Sequence, residues 1–209
     1  MLVPGDQNIC ARCWAAIPEI GPAHPVWNEI SAHLRSEGAV RELLSCYLFE
    51  KEGVLQQVVH LMKYGGMKSL GVRLGTEVGS RILTNPEFMS QDALVPVPLH
   101  KLKQRERGYN QAEYLCRGIS AVTRIPVMSS LLLRKRYTES QTELDRNARK
   151  KNVSGAFVLN PKCREKIEGR SFILVDDVMT TGSTVNACAR ELLDHGAERV
   201  LALSAALAA

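Results

Sequence analysis

Phe172-Ile173-Leu174-Val175-Asp176-Asp177-Val178-Met179-Thr180-Thr181-Gly182-Ser183-Thr184 is the stretch from which the fold can be read. The apolar run Phe172 to Val175 predicts a strand buried on both faces, as in a parallel sheet. Two adjacent carboxylates stand where that strand should end, and a hydroxyl-rich turn around Gly182 follows. The apolar spacing then changes to the helical period, with Val185, Cys188, Ala189, Leu192 and Leu193, and Gly196 offers a left-handed stop. A turn that enters a helix presents free backbone N–H groups and the positive end of the helix dipole. Thr180, Thr181, Ser183 and Thr184 add hydroxyls, and Gly182 permits close backbone approach. These features describe a phosphate cradle. Asp176 and Asp177 would repel a phosphate, and suit instead the cis diol of a ribose or a divalent cation held by oxygens. Phosphate beside diol describes a ribose 5-phosphate. An ordinary strand–turn–helix needs neither paired acids nor four hydroxyls.

The same stretch resembles the phosphoribosyl-pyrophosphate (PRPP) motif of type I phosphoribosyltransferases. That resemblance implies a ribose held through its hydroxyls by Asp176 and Asp177, and a 5-phosphate held by Thr180, Thr181, Gly182, Ser183 and Thr184. It also implies Mg²⁺ chelated by the diphosphate and ribose hydroxyls of PRPP, and basic side chains that stabilise the departing pyrophosphate. Purine-salvage members carry an aspartate at the position of Thr180, where it can accept a proton from the base. Threonine here argues against that acceptor and leaves another, unidentified nucleophile as the partner.

Upstream, Ala93-Leu94-Val95-Pro96-Val97-Pro98-Leu99-His100 is a short apolar strand cut by prolines. Proline donates nothing to a sheet ladder, so the strand should end at about Val97. Lys101, Lys103, Arg105 and Arg107 then predict a basic loop. The helix behind it has an apolar face of Ala112, Leu115, Cys116, Ile119 and Val122. Pro96, Val97 and Pro98 resemble the diphosphate loop of the glutamine-dependent amidophosphoribosyltransferases. Arg105 and Arg107 follow that loop, and arginine suits diphosphate through its two-pronged fork. Leu131-Leu132-Leu133 predicts a further strand, followed by a polar, basic segment expected to be a mobile cover over PRPP, with Arg134 and Arg149 on the diphosphate.

Several segments together resemble the ComF (also GntX) family: Lys63-Tyr64-Gly65 between two amphipathic helices, Arg107-Gly108-Tyr109-Asn110-Gln111, and the spaced series Arg134, Thr138, Ser140, Gln141, Arg149, Asn152, Val153 and Phe157. Asp176, Asp177 and Arg107 are the residues expected to carry the transfer. Family members commonly open with a zinc ribbon of two C-x-x-C pairs. This sequence has one pair, Cys10 and Cys13, with His24, His33 and Cys46 at irregular spacing. The first pair either lies upstream of Met1, which is the expectation, or has been lost in this lineage, and Zn²⁺ is expected only if the ribbon is complete upstream. ComF relatives are implicated in natural competence, which adds single-stranded DNA and a competence helicase as possible partners. Stacking aromatics are scarce in the basic segment, with only Tyr137 and Phe157. A PRPP-sensing or nucleotide-binding regulator without turnover is the third reading.

Composition is compatible with all three. The chain has 209 residues, of which 45% are hydrophobic, and a net charge of +5. No apolar run approaches the ~20 residues of a membrane span, and the N-terminus lacks the order of a signal peptide. Six cysteines without a secretory signal point to a reducing cytoplasm. The expected architecture is a doubly wound, mostly parallel α/β sheet. A first segment, 1–50, carries the ribbon remnant and helices. The phosphoribosyltransferase-like domain spans 51–209, with its core from about residue 85.

Overall fold

Phe172, Ile173, Leu174 and Val175 are all buried, and alternate side chains enter two separate apolar clusters, because a strand turns successive side chains to opposite faces. The computed structural model describes residues 9–135 and 155–208. Within them the four residues lie in β5 (Ser171–Met179), an inner strand of a four-stranded sheet. Its neighbours are β2 (Ala93–Pro96) on one side and β6 (Arg199–Ala208) on the other, and β1 (Leu43–Phe49) lies beyond β6. Every pairing is parallel, with Val95 opposite Leu174 and Asp176 opposite Ser204. The α/β class with a parallel sheet is as expected.

One face is covered by α3 (Val54–Tyr64), α4 (Lys68–Ile82) and α7 (Gln111–Thr123). The other carries α2 (Pro25–Glu37), α8 (Ser183–Leu193) and a small antiparallel pair, β3 (Leu132–Arg134) with β4 (Phe157–Leu159). Short helices α1 (Ala11–Ala15), α5 (Pro86–Met89) and α6 (Lys101–Arg107), and a 3₁₀ turn over Pro161–Lys166, complete the described elements. Among the described residues no helix is long and apolar enough to cross a membrane.

Two expectations need correction. The sheet does not start at about residue 85: Leu43–Phe49, assigned above to the first segment, is an edge strand paired with β6 along its length. Its run Leu-Leu-Ser-Cys-Tyr-Leu-Phe is rich in β-branch-free but bulky apolar groups, and what makes it a strand is the free edge of β6. The basic stretch after Pro98 is not a loop either. His100 caps it by accepting from the Leu102 N–H through Nδ1 at 3.3 Å, Gly108 ends it with φ 77°, and the residues between form α6. The segment containing Thr138, Ser140, Gln141, Arg149 and Asn152 lies outside the described residues.

Helices α4 and α7 approach closely because glycine lines the contact. Gly71, Gly75 and Gly79 recur every fourth residue on one face of α4. A Cβ on Gly75 would sit 2.2 Å from the Leu115 carbonyl oxygen, and one on Gly118 would sit 2.0 Å from that of Val72. Backbone atoms cannot yield as a side-chain tip can. Gly75→Ala is therefore expected to cost about 3 kcal/mol by over-packing, read as a lower urea midpoint at unchanged slope. An unaltered midpoint would show that the helices can separate freely.

Candidate functional site

The carboxyl ends of β5 and β2 deliver the site, as expected for an open parallel sheet. Asp176 and Asp177 fall on the last turns of β5 and are half-buried. Their carboxylates are tied locally: the Asp177 N–H donates to Asp176 Oδ1 at 2.9 Å, and the Val178 N–H to Asp177 Oδ1 at 2.8 Å. Lys63, at the end of α3, places Nζ 2.8 Å from Asp177 Oδ2. The two acids therefore differ. Burial, and then the neighbouring Asp177 charge, push Asp176 up to about 8. Burial alone would raise Asp177 too, but the Lys63 ammonium, the Val178 N–H and the Arg107 charge hold it below the usual carboxylate range.

Lys63 is delivered by the Arg107-Gly108-Tyr109-Asn110-Gln111 segment. The Tyr109 hydroxyl and the Gln111 side-chain amide, the latter at 3.3 Å, both donate to the Met62 carbonyl, which pins the last turn of α3. Asn110 caps α7 by accepting from the Ala112 N–H and also donates to the Val97 carbonyl at 3.0 Å. Arg107 donates to Gln111 Oε1 at 3.0 Å. Its Nε is buried and has no hydrogen-bond partner among the described residues, a donor that suits an incoming anion.

The turn after β5 is built as a helix entrance. Gly182 caps α8 at φ 75°. Thr181 Oγ1 lies 3.0 Å from Ser183 Oγ and accepts from the Ser183 N–H at 3.4 Å, while Thr180 is exposed and Thr184 half-buried. Gly182 also has a close neighbour that the sequence does not show. A Cβ there would meet Leu34 of α2 at 2.7 Å, so the space is filled from within the protein. Glu37, one turn on in α2, ion-pairs with Arg190 and accepts from the Asn186 side chain at 3.3 Å, fixing α2 against α8.

The remaining expected residues divide. Arg134 ends β3, bridges to His100 and lays its guanidinium 5.2 Å from the Phe157 ring centroid. Its charge and that of Asp176 both act on the buried Cys188 thiol of α8, which burial pushes well up. Arg105 is exposed on α6. Pro96, Val97 and Pro98 are buried, and Val97 donates to the Val175 carbonyl while its own carbonyl serves Asn110. Both polar backbone groups of Val97 are thus engaged by the fold and not offered to a diphosphate. Arg149 lies outside the described residues.

The cysteine pair stands at the start of α1. Cys10 caps α1, its Sγ accepting from the Cys13 N–H at 3.4 Å, and that bond lowers its thiol pKa. Cys46 is fully buried in β1, and His24 caps α2 through Nδ1. No group of three or more metal-ligating side chains forms among the described residues, and a closed structural zinc takes four ligands.

The unequal acids give a pH test. A carboxyl group whose folded pKa is raised keeps its proton in the native state, so stability falls as pH rises from about 4, its unfolded value, to about 8. Asp176→Asn removes that loss. The ligand-free variant is expected to match wild type near pH 4 and to melt on the order of 5 °C higher at pH 9. A variant that melts lower than wild type at pH 9 would mean that Asp176 is ionised and stabilising.

Comparison with known proteins gives the family. Residues 120–207 match the phosphoribosyl transferase domain model. The DNA utilization protein YhgH of Escherichia coli K12 is 38% identical over 149 residues, 70% of this chain and 64% of that protein, so the chain spans just under two thirds of that relative. Competence protein ComFC of Bacillus subtilis is 32% identical over 212 residues, 93% of this chain and 82% of its own. Among solved structures, glutamine PRPP amidotransferase from B. subtilis aligns over 66% of this chain and 26% of its own, at 18% identity and a TM-score of 0.45. With a relative matched across nearly the whole chain and a phosphoribosyl transferase domain carrying the paired acids, this protein belongs to the ComF family of competence proteins.

Proposed function

We propose that this chain binds PRPP with Mg²⁺ and transfers its 5-phosphoribosyl group to a nucleophile, releasing pyrophosphate. The observation that carries the reading is the pair Asp176 and Asp177 at the end of β5, directly before the hydroxyl turn that opens α8. The ribose hydroxyls donate to the two carboxylates. The 5-phosphate takes the first-turn N–H groups of α8 and the hydroxyls of Thr180, Thr181, Ser183 and Thr184. Lys63 pairs directly with Asp177 and acts on Asp176 only through its charge, and such an oxygen-donor pair fits a divalent cation. Mg²⁺, bound with the diphosphate, would neutralise charge on the leaving group.

The side chains then have distinct tasks. Lys63 exchanges its Asp177 contact for the ligand, and its ammonium joins Arg107 and Arg134 on the diphosphate side. The bond between ribose C1 and the diphosphate oxygen breaks, and its electron pair leaves with pyrophosphate. The acceptor's lone pair forms the new bond to C1, and the acceptor's proton passes to solvent or to a diphosphate oxygen. Arg107 Nε, buried without a partner among the described residues, meets the charge that grows on the leaving oxygens.

A second reading has its own support in the names of the relatives, a competence protein and a DNA utilization protein. In it the ribose-phosphate site is used on single-stranded DNA, with the exposed cations of α6 (Lys101, Arg105) on the backbone.

Isothermal calorimetry separates the two. Mg²⁺-dependent, saturable PRPP binding is expected, at least about 100-fold weaker in Asp176→Asn/Asp177→Asn through the loss of two charge-assisted hydrogen bonds. Pyrophosphate release on adding an acceptor would establish turnover. Absence of PRPP binding by the folded wild type, with salt-dependent binding of single-stranded DNA, would overturn the transferase reading in favour of the second.

A further inference from the structure

Trp27, Ser31 and Arg35 follow one another at four-residue spacing on one stripe of α2. With Pro22 and the residues that lead into β1 they wall a cavity of about 190 Å³. An apolar cavity of about 150 Å³ already holds benzene. The wall here is of two kinds. Leu34, Val40, Leu43 and the half-buried Trp27 give its apolar part. Ser31, Arg35, Arg41 and Glu42 give its polar part, with two guanidinium groups against one carboxylate. Ser31 is 8% exposed, and its hydroxyl has no hydrogen-bond partner among the described residues, whereas buried hydroxyls as a rule have one. Arg41 Nε lies 3.3 Å from Glu87 Oε1. Arg35 is exposed and makes no ion pair among the described residues, so it is the cation left for a ligand. A larger cavity shares Pro22, Trp27, Glu42 and Leu43 with this one, but its arginine, Arg81, is taken by Glu19.

We propose that the cavity between α2 and the start of β1 binds a small carboxylate with a compact apolar body, and that its occupancy is felt at the turn that opens α8. The carboxylate takes the Ser31 hydroxyl and the Arg35 guanidinium, and the apolar body lies against Trp27 and Leu43. An uncharged ligand would leave Arg35 unused, and an inorganic anion would leave the apolar wall uncovered. The link to the turn is Leu34. It lines the cavity and also stands 2.7 Å from the position that a Cβ on Gly182 would take. Packed side chains transmit displacement, so a ligand that shifts Leu34 changes the contact on Gly182. On the transferase reading this is an effector site, but the binding itself does not rest on that reading.

Titration of the ¹⁵N-labelled protein with sodium benzoate tests the site, because the chain has two tryptophans, Trp14 and Trp27, and Trp27→Phe assigns their indole N–H signals. The Trp27 signal is expected to move saturably while the Trp14 signal stays, and the Gly182 amide to move with the same midpoint. Ser31→Ala and Arg35→Gln, the second an exposed change that leaves the core intact, are each expected to weaken binding about fivefold. Benzyl alcohol, which lacks the charge, and inorganic phosphate, which lacks the apolar body, should bind more weakly than benzoate. No saturable movement of the Trp27 signal with benzoate would overturn the proposal. So would equal affinity in wild type and Arg35→Gln, or benzyl alcohol or phosphate binding as tightly as benzoate. Movement at Trp27 with none at Gly182 would overturn the coupling. If the protein fails to bind PRPP while Trp27 and Gly182 both respond to benzoate, the transferase reading falls and this site stands.

Discussion

Two carboxylates on consecutive residues at the end of a buried strand are the constraint that the rest of this structure serves. Adjacent like charges in a half-buried place oppose each other and lose hydration together. The chain resolves this asymmetrically. Asp177 receives an ammonium from another helix, and Asp176 keeps its proton. Replacing Asp176 with a neutral residue would ease folding near neutral pH, whereas removing Asp177 would leave Lys63 without its partner. Their presence marks a position where local stability has been set against binding, which is where sequences most often depart from the simplest folding rules.

The supply of that ammonium explains a motif whose family resemblance gave no physical role. Tyr109 and Gln111 donate to the same carbonyl of α3, Asn110 holds the loop after β2, and Arg107 adds charge from the same short segment. One pentapeptide thereby joins the end of β2, the end of α3 and the start of α7 around Asp177. On the opposite face α2 does the equivalent work for the turn that opens α8. Leu34 fills the space beside Gly182, and Glu37 fixes α8 through Arg190 and Asn186. The N-terminal third is in this way part of the wall of the site and of the sheet itself.

Much of this was legible in the sequence. The run Phe172–Val175 declared a parallel strand because four apolar residues must be covered on both faces, and the change to helical spacing after Gly182 placed α8. The break at Lys63-Tyr64-Gly65-Gly66 separated α3 from α4. What could not be read depended on contacts distant in the chain. Lys63 precedes Asp177 by more than a hundred residues, and no local pattern pairs them. Leu34 against Gly182 is likewise a tertiary fact. β1 was missed because its side chains suit a helix or a strand equally, and only the open edge of β6 decides between them. The basic residues after Pro98 read as a loop because charge carries no periodicity, whereas His100 and Gly108 cap them into a helix.

The same electrostatics constrain the chemistry proposed for the site. A nucleophile that attacks C1 must lose a proton unless it arrives as an anion. Neither acid is arranged to take that proton. Asp177 is committed to Lys63 and, once ligand displaces the lysine, to the ribose hydroxyl; Asp176 already holds a proton near neutral pH until a cation or diol replaces it. The residue that serves as base in purine salvage is here Thr180, exposed and without a carboxylate. The proton must then leave with the diphosphate, whose oxygens become basic as the C1–O bond lengthens, or be absent from the start. Both routes favour an acceptor that is weakly acidic, and Lys63 and Arg107, drawn toward the leaving group, would hold such an anion near C1 as well.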